Sequence, residues 1–215
     1  MVSAQLHHSN SFLSFVYKSI YSINETKYMG LKGTNTTSDY FEFEVTNSKA
    51  LKMIRSGNDR ILGFLVIVGM NTGLRIGDLL RLQYEDFEND SISIIEKKTK
   101  KKRLIRINDN IKLAYDILKI NSVKQTGPVF MTRLGTIYSS QYINRWLKIH
   151  FGSKKTRTSC HSMRKGMGRQ VFFKNNESDK ALIYLSELFN HSSLAITKKY
   201  LGIRQEELDD IYLSL

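Results

Sequence analysis

Residues 61–70 read I-L-G-F-L-V-I-V-G-M and contain no polar side chain. A run of this length is too short to cross a bilayer, which takes about 20 apolar residues. It must therefore be buried against the rest of its own chain. Bounded by Asp59 and Asn71, it reads as a helix that is apolar on every side. Thr72-Gly73 closes it, the glycine supplying a backbone conformation that other residues resist. Such a helix belongs at the centre of a core, and the remaining elements have to surround it.

The pattern supplies those elements. Ser48 to Arg55 reads as a helix, and another starts near Leu74 and runs to about Gln83. Ser91 to Glu96 and Arg103 to Ile107 alternate apolar and polar residues and are joined by lysines, a hairpin pattern. Helices over Asp109–Asn121 and Ser139–Phe151 flank a short extended Gly-Pro-Val-Phe piece, and others follow near 161–174, 179–189 and 193–201. Ser192 or Ser193 is placed to cap the one that carries Tyr200. A last helix, Gln205 to Leu215, sets Leu208, Ile211, Tyr212 and Leu215 on one stripe, suited to its own core or to a neighbouring chain. The fold class is mainly α with a small antiparallel β-sheet (α+β).

Residues 1–45 have a different texture. Phe12, Phe15, Val16, Ile20 and Ile23 make one short stripe, Met29 to Ser38 reads as a loop, and Phe41, Phe43 and Val45 alternate with Glu42 and Glu44 like a half-buried strand. We expect an N-terminal arm over 1–45 and one domain over 46–215.

Charge separates the same two parts. The chain holds 33 Lys and Arg against 20 Asp and Glu, a net +13, yet residues 1–45 contribute three basic and four acidic side chains. The field of the remainder suits a polyanion, of which nucleic acid is the usual one. The single cysteine rules out an intramolecular disulfide. With no secretory pattern over Met1–Asn10, a soluble, cytoplasmic, DNA-associated protein is expected.

Chemistry-bearing residues gather in three stretches. In T-G-L-R-I-G-D-L-L, Arg75 follows the glycine break at the start of a helix, and Asp78 lies three residues on, within reach to orient it or the neighbouring backbone. Residues 97–106 hold seven basic side chains and no acid. Such a run is ordinarily a solvated turn or a phosphate patch, but a stiff hairpin can also hold one lysine beside a phosphate as a general acid. Lys98 is preferred, with Lys97 and Lys100 as competitors. In the third stretch His161 and Arg164 share a helix face, and His191 and Tyr200 follow. An arginine clamps phosphate, a histidine moves protons, and a tyrosine hydroxyl can attack phosphorus once cations or a base assist it. Lys97, Lys100, Lys101, Lys102 and Arg103, with Lys154, Lys155, Arg157 and Lys165, are the candidate DNA contacts. Cys160 beside His161 does not make a thiol-protease pair, because chain neighbours need not face each other. One cysteine and five histidines show no zinc spacing, and no Walker-type loop or H-E-x-x-H is present, so no cofactor is expected.

Taken together, these motifs resemble the catalytic domain of the tyrosine recombinases, the phage integrase family. T-G-L-R-I-G-D-L-L is similar to the first arginine box, I-E-K-K-T-K-K-K-R to the lysine-bearing hairpin, H-S-M-R to H-x-x-R, and N-H-S-S-L-A-I-T-K-K-Y to the final box. The resemblance implies catalytic roles for Arg75, Lys98, His161, Arg164, His191 and Tyr200, with Asp78 in support. It also implies metal-free and ATP-free cleavage of double-stranded DNA through a 3′-phosphotyrosyl link, by a homo-tetramer on two sites that can enlist DNA-bending accessory proteins. Asn190 stands where the family usually has glycine, the hairpin turn lacks one, and 1–45 is short for the helical domain with which most members clamp DNA. A type IB topoisomerase shares the chemistry but fits less well on size, and the grouped carboxylates of a metal-dependent transposase are missing. The remaining alternative is a non-catalytic DNA-binding protein or truncated remnant derived from a recombinase.

Overall fold

The computed structural model describes residues 38–57, 59–120 and 125–215, with the side chains of 204–208 excepted. The apolar stripe expected over 12–23 lies outside that range. The compact unit that holds the described residues begins at Thr37.

Its first helix, α1 (Phe43–Ser56), occupies the place where a strand was expected. Thr46, Asn47, Ala50 and Ile54 are buried at helical spacing, while Val45 is exposed. The short F-E-F-E-V alternation is overridden by the longer period that continues past it. Ahead of α1, residues 38–42 form no helix, and Glu42 is extended. Asp39 donates to the Arg157 carbonyl and Phe41 to the Ser162 carbonyl, at 2.8 and 3.1 Å.

The apolar run is α2 (Arg60–Thr72), with Leu62 to Met70 all buried. Phe64 packs against Phe87, Tyr115 and Phe130 at ring separations of 5.0–6.1 Å. Each such side chain contributes about 1.5–3 kcal/mol by leaving water. Gly73 ends the helix in the left-handed conformation, φ 59°, and a Cβ there would lie 2.0 Å from the Met167 Cε. The left-handed turn favours glycine, and a larger residue would also push the methionine end aside.

The next expected helix shrinks to α3 (Ile76–Leu79), followed by a 3-10 turn, Tyr84–Phe87. Leu79, Leu80 and Leu82 are all buried, and Gln83 bridges to Pro128. Burying three leucines in so short a span, beside an extended bridge, stops the helix from propagating. β1 (Ser91–Ile95) and β2 (Lys102–Arg106) pair antiparallel, from Ser91↔Arg106 to Ile95↔Lys102. Ile92, Ile94 and Ile105 face the core. α4 (Asp109–Ile120) and α5 (Ser140–Phe151) complete this first core around α2.

A second, smaller core joins α6 (Cys160–Lys174), α7 (Asp179–Phe189) and α8 (Leu194–Leu201). Between α6 and the segment ahead of α1 the contact is backbone-close: a Cβ on Gly166 would lie 2.3 Å from the Phe41 carbonyl oxygen. α9 (Ile203–Leu213) follows Gly202. Ile211, Tyr212 and Leu215 are exposed at 57%, 72% and 98%, so these three do not fold back onto their own core. No helix among the described residues is long and apolar enough to cross a membrane.

Candidate active site

Two guanidiniums meet the carboxyl end of α7. Arg75 sits at the N-cap of α3 in extended conformation, one residue ahead of the helix and not within its first turn as expected. Its Nη1 donates to Glu96 Oε2 at 2.8 Å and its Nη2 to the Phe189 carbonyl at 3.1 Å. Arg164 comes from α6, on the opposite side, with its side chain buried. It donates to the Gly73 carbonyl and to the Leu188 carbonyl, the latter at 3.3 Å, and its guanidinium lies 4.3 Å from the Phe189 ring centre. The last carbonyls of a helix lack intrahelical donors and carry the negative end of its dipole, so they hold and orient both arginines. Burial pushes the Arg164 guanidinium down to about 10, which leaves it charged at neutral pH.

Past those carbonyls the chain turns sharply. Asn190 is left-handed, φ 54° and ψ 51°, a conformation that glycine adopts most readily and asparagine next. The turn delivers His191, whose Nδ1 is 3.0 Å from Thr197 Oγ1. Ser193 then caps α8, its side chain accepting from the Ile196 N–H. α8 brings Tyr200 back against His191, with ring centres 5.2 Å apart, and against Phe189 at 5.3 Å. The Tyr200 hydroxyl oxygen is buried and has no partner in good hydrogen-bond geometry. Burial raises its pKa above the ordinary phenol value; the charges of Arg164 and Arg75 oppose that, Arg164 also being near enough to act as a weak donor.

His161 lies in the first turn of α6, which Ser159 caps. The residue is exposed to solvent, yet its imidazole is partly desolvated by its neighbours. That partial desolvation, followed by the charges of Arg164, Lys165, Arg75 and Lys98, holds its pKa below the usual histidine value. His191 is lowered by burial and then by Arg164 and Arg75. Both imidazoles are neutral at neutral pH.

The hairpin turn closes the remaining side. Lys98 is exposed at its tip, close enough for its charge to bear on His161. Asp78, buried, accepts from the Lys97 N–H at 2.7 Å and so fixes the turn rather than Arg75. Lys101 Nζ reaches Asn190 Oδ1 at 2.9 Å, joining the turn to the loop before His191. The residue that sequence reasoning missed is Glu96. It is 4% exposed and binds Arg75, Arg103 (3.4 Å) and the Thr99 hydroxyl (2.7 Å). The one signal for it was a lone acid heading a run of lysines.

Of the candidate DNA contacts, Lys97, Lys100, Lys101, Lys102, Lys154, Lys155 and Arg157 are exposed. Two are not surface groups. Arg103 turns inward to Glu96 and the Thr72 carbonyl, because a buried carboxylate at the strand end draws it in. Lys165 is buried with its Nζ 5.2 Å from the Tyr200 ring centre. Burial pushes the Cys160 thiol up to about 12, so it is no thiolate nucleophile. Among the described residues, no three His, Cys, Asp or Glu side chains are grouped to hold a metal ion.

Comparison with known proteins points one way. The model of the phage integrase family matches residues 47–207. A probable integrase/recombinase of Bacillus subtilis, YoeC, is 31% identical over 152 residues, which cover 66% of this chain and 78% of the relative. A tyrosine recombinase of Agathobacter rectalis is 25% identical over 151 residues, 67% of this chain and 48% of the relative. Among solved structures, XerA recombinase is similar with a TM-score of 0.59 at 17% identity, over 99% of this chain and 78% of that one. A lambda integrase dimer bound to a COC′ core site gives 0.57 at 16% identity, over 90% and 58%. These likenesses concern the fold.

Proposed function

The chain belongs to the phage integrase family, and from that premise we propose that it is a site-specific recombinase cutting and rejoining double-stranded DNA through Tyr200. The observation that carries this reading is the convergence of Arg75 and Arg164 on the end of α7, with Tyr200 against His191 there and His161 within the charge of both arginines. A phosphodiester seated there would have its non-bridging oxygens between the two guanidiniums, which stabilise charge as it develops.

The Tyr200 oxygen attacks phosphorus, its proton passing to a neutral imidazole, His161 or His191. The bond from phosphorus to the 5′ oxygen breaks as a 3′-phosphotyrosyl bond forms. Lys98, on the hairpin tip, protonates the departing 5′ oxygen. A 5′-hydroxyl from another strand then attacks the same phosphorus and releases Tyr200. One phosphodiester is exchanged for another, so no step draws on ATP, and none uses a metal. Because the Tyr200 oxygen is covered in this structure, DNA binding has to uncover it before attack. In this reading residues 46–215 form the catalytic domain and 1–45 an arm. Four protomers act on two sites, with the C-terminal residues Ile211, Tyr212 and Leu215 offered to a neighbour and DNA-bending proteins able to assist.

The covered hydroxyl is also what a second reading would use, that of a DNA-binding protein without cleavage activity. A nicked suicide duplex separates the two, run in EDTA without ATP and read on a denaturing gel. A covalent band that disappears in Tyr200→Phe supports the recombinase. Tight, salt-sensitive binding of the same duplex with no band supports the binder.

A further inference from the structure

Two cations of α6 lie outside the motifs and face away from solvent. Lys165 and Arg169 are 5% and 8% exposed. Burying a cation costs free energy unless something nearby stabilises it, so each must have a local reason to be there. For Arg169 the reason has three parts. Its guanidinium lies 4.0 Å from the Tyr40 ring centre and 5.0 Å from that of Phe173, and its Nη1 donates to the Leu201 carbonyl at 3.1 Å. Leu201 is the last residue of α8 and the one after Tyr200. Its carbonyl is among those a helix leaves without an internal donor. Lys165, one turn earlier, sets its ammonium 5.2 Å from the Tyr200 ring centre, within the charge of Asp39.

We propose that Lys165 and Arg169 are positioning residues that fix the helix carrying Tyr200 against α6, an inference that rests on Tyr200 being the nucleophile. Arg164, which faces the phosphate site, belongs to the same helix, so α6 sets the separation between that arginine and the tyrosine. The two helices also touch closely: a Cβ on Gly168 would lie 2.6 Å from Leu201 Cδ2. A cation–π contact at the ring and a charge-assisted hydrogen bond one residue later hold two successive points of α8. Neither residue touches the reacting atoms. A nucleophile shifted by about 1 Å loses on the order of 100-fold in rate, and that is the scale on which such anchors act.

The test has two arms on the full chain, comparing wild type, Arg169→Gln, Arg169→Lys, Lys165→Met and Tyr200→Phe. In hydrogen exchange without DNA, amides of Leu194–Leu201 should exchange about tenfold faster or more in Arg169→Gln and Lys165→Met, with α2 amides unchanged. Arg169→Lys, keeping charge and a donor but not the planar stack, should fall between. Unchanged exchange in α8 overturns the proposal, and so does equal acceleration in α2, which marks general destabilisation. The second arm uses a nicked duplex selected from a randomised library for SDS-resistant complex formation with wild type. Arg169→Gln should cleave it at least about tenfold more slowly at saturating DNA, with the half-saturating concentration unchanged. Cleavage at the wild-type rate overturns the positioning role. If wild type yields no covalent complex, or Tyr200→Phe yields the same one, the reading of Tyr200 fails instead, whatever the exchange shows.

Discussion

Glu96 is the sole acid between residues 91 and 107, and two guanidiniums depend on it. Replacing it with glutamine leaves Arg75 and Arg103 short of a counter-charge in a largely buried setting. Removal of one partner of a buried pair costs several kcal/mol, so Glu96→Gln should lower stability by about 2–4 kcal/mol in urea denaturation at pH 7. Burial acts to raise the carboxyl pKa, but the Thr99 hydroxyl and the charges of Arg75 and Arg103 outweigh it, and the net value is lowered. Its stabilisation is therefore fully present above the unfolded-state value near 4.5 and lost as pH falls through the lower folded value. The gap between wild type and Glu96→Gln should close below that point; a constant gap down to pH 3 would refute the ion-pair account. His161 carries the opposite sign of charge. Its lowered pKa means that protonation opposes folding, the cost growing as pH falls below the unfolded value near 6.5. Its imidazole resonance should titrate below 6.5 in the free protein and move upward when duplex DNA supplies phosphates; an unshifted titration would remove this histidine from the cationic site. Residue types and spacing made Arg75, Arg164, His191 and Tyr200 legible as a group, since each belongs to a short local pattern. Glu96 was not legible, because its meaning lies in partners 21 residues before it and 7 after it. The inward turn of Arg103 and Lys165 was hidden for the same reason: a sequence shows a charge and not where it points.

At the scale of elements, the sequence failed where a short pattern met a longer constraint. The five-residue alternation from Phe41 to Val45 lost to a helix that continues to Ser56, and the helix expected to reach Gln83 was cut at Leu79 by burial of the leucines that follow. The helix centred on 61–70, the hairpin and α5–α8 were readable because their periods run long enough to exclude the other class. Two turns lacking glycine were readable only as anomalies, and both are positions of positive φ. Lys100 has φ 59° and Asn190 φ 54°. A side chain with a Cβ resists that region by about 1 kcal/mol, asparagine less than lysine. Lys100→Gly should therefore stabilise the protein by about 0.5–1 kcal/mol. Asn190→Ala should cost about 1 kcal/mol, since alanine tolerates the left-handed region poorly and the Lys101 contact is lost as well. At this chain length each kcal/mol corresponds to a shift of about 2–4 °C in Tm, within reach of a thermal melt. If both variants melt with the wild type, the left-handed turns carry no strain worth relieving and the account of the hairpin is wrong.

Over the whole molecule, charge is the feature that remains when individual contacts are set aside. Residues beyond 45 carry +14, more than the net +13 of the whole chain, and the inward turn of Arg103 and Lys165 thins the surface field without erasing it. Four lysines of the hairpin stay exposed around Lys98, and Lys154, Lys155 and Arg157 are exposed on the loop before α6. If these groups track a DNA backbone, they act by displacing condensed counterions, and their signature is a slope and not merely an affinity. Each phosphate contact removed should lessen the slope of log K against log salt by about 0.9. Lys97→Gln, Lys100→Gln and Lys102→Gln spare both Lys98 and the Lys101–Asn190 link. Combined, they should flatten the slope by about 2–3 and weaken all duplex sequences alike, as contacts that read no bases must. Arg103→Gln is the informative contrast, being bound to Glu96 and the Thr72 carbonyl instead of facing solvent. It should lower stability and leave the slope where it was. A slope that falls by about one unit in Arg103→Gln would mean that this guanidinium leaves Glu96 for phosphate when DNA arrives. The Glu96 carboxylate would then keep Arg75 as its one cationic partner beside the Thr99 hydroxyl, and the hairpin would be a moving part of the site instead of its fixed wall.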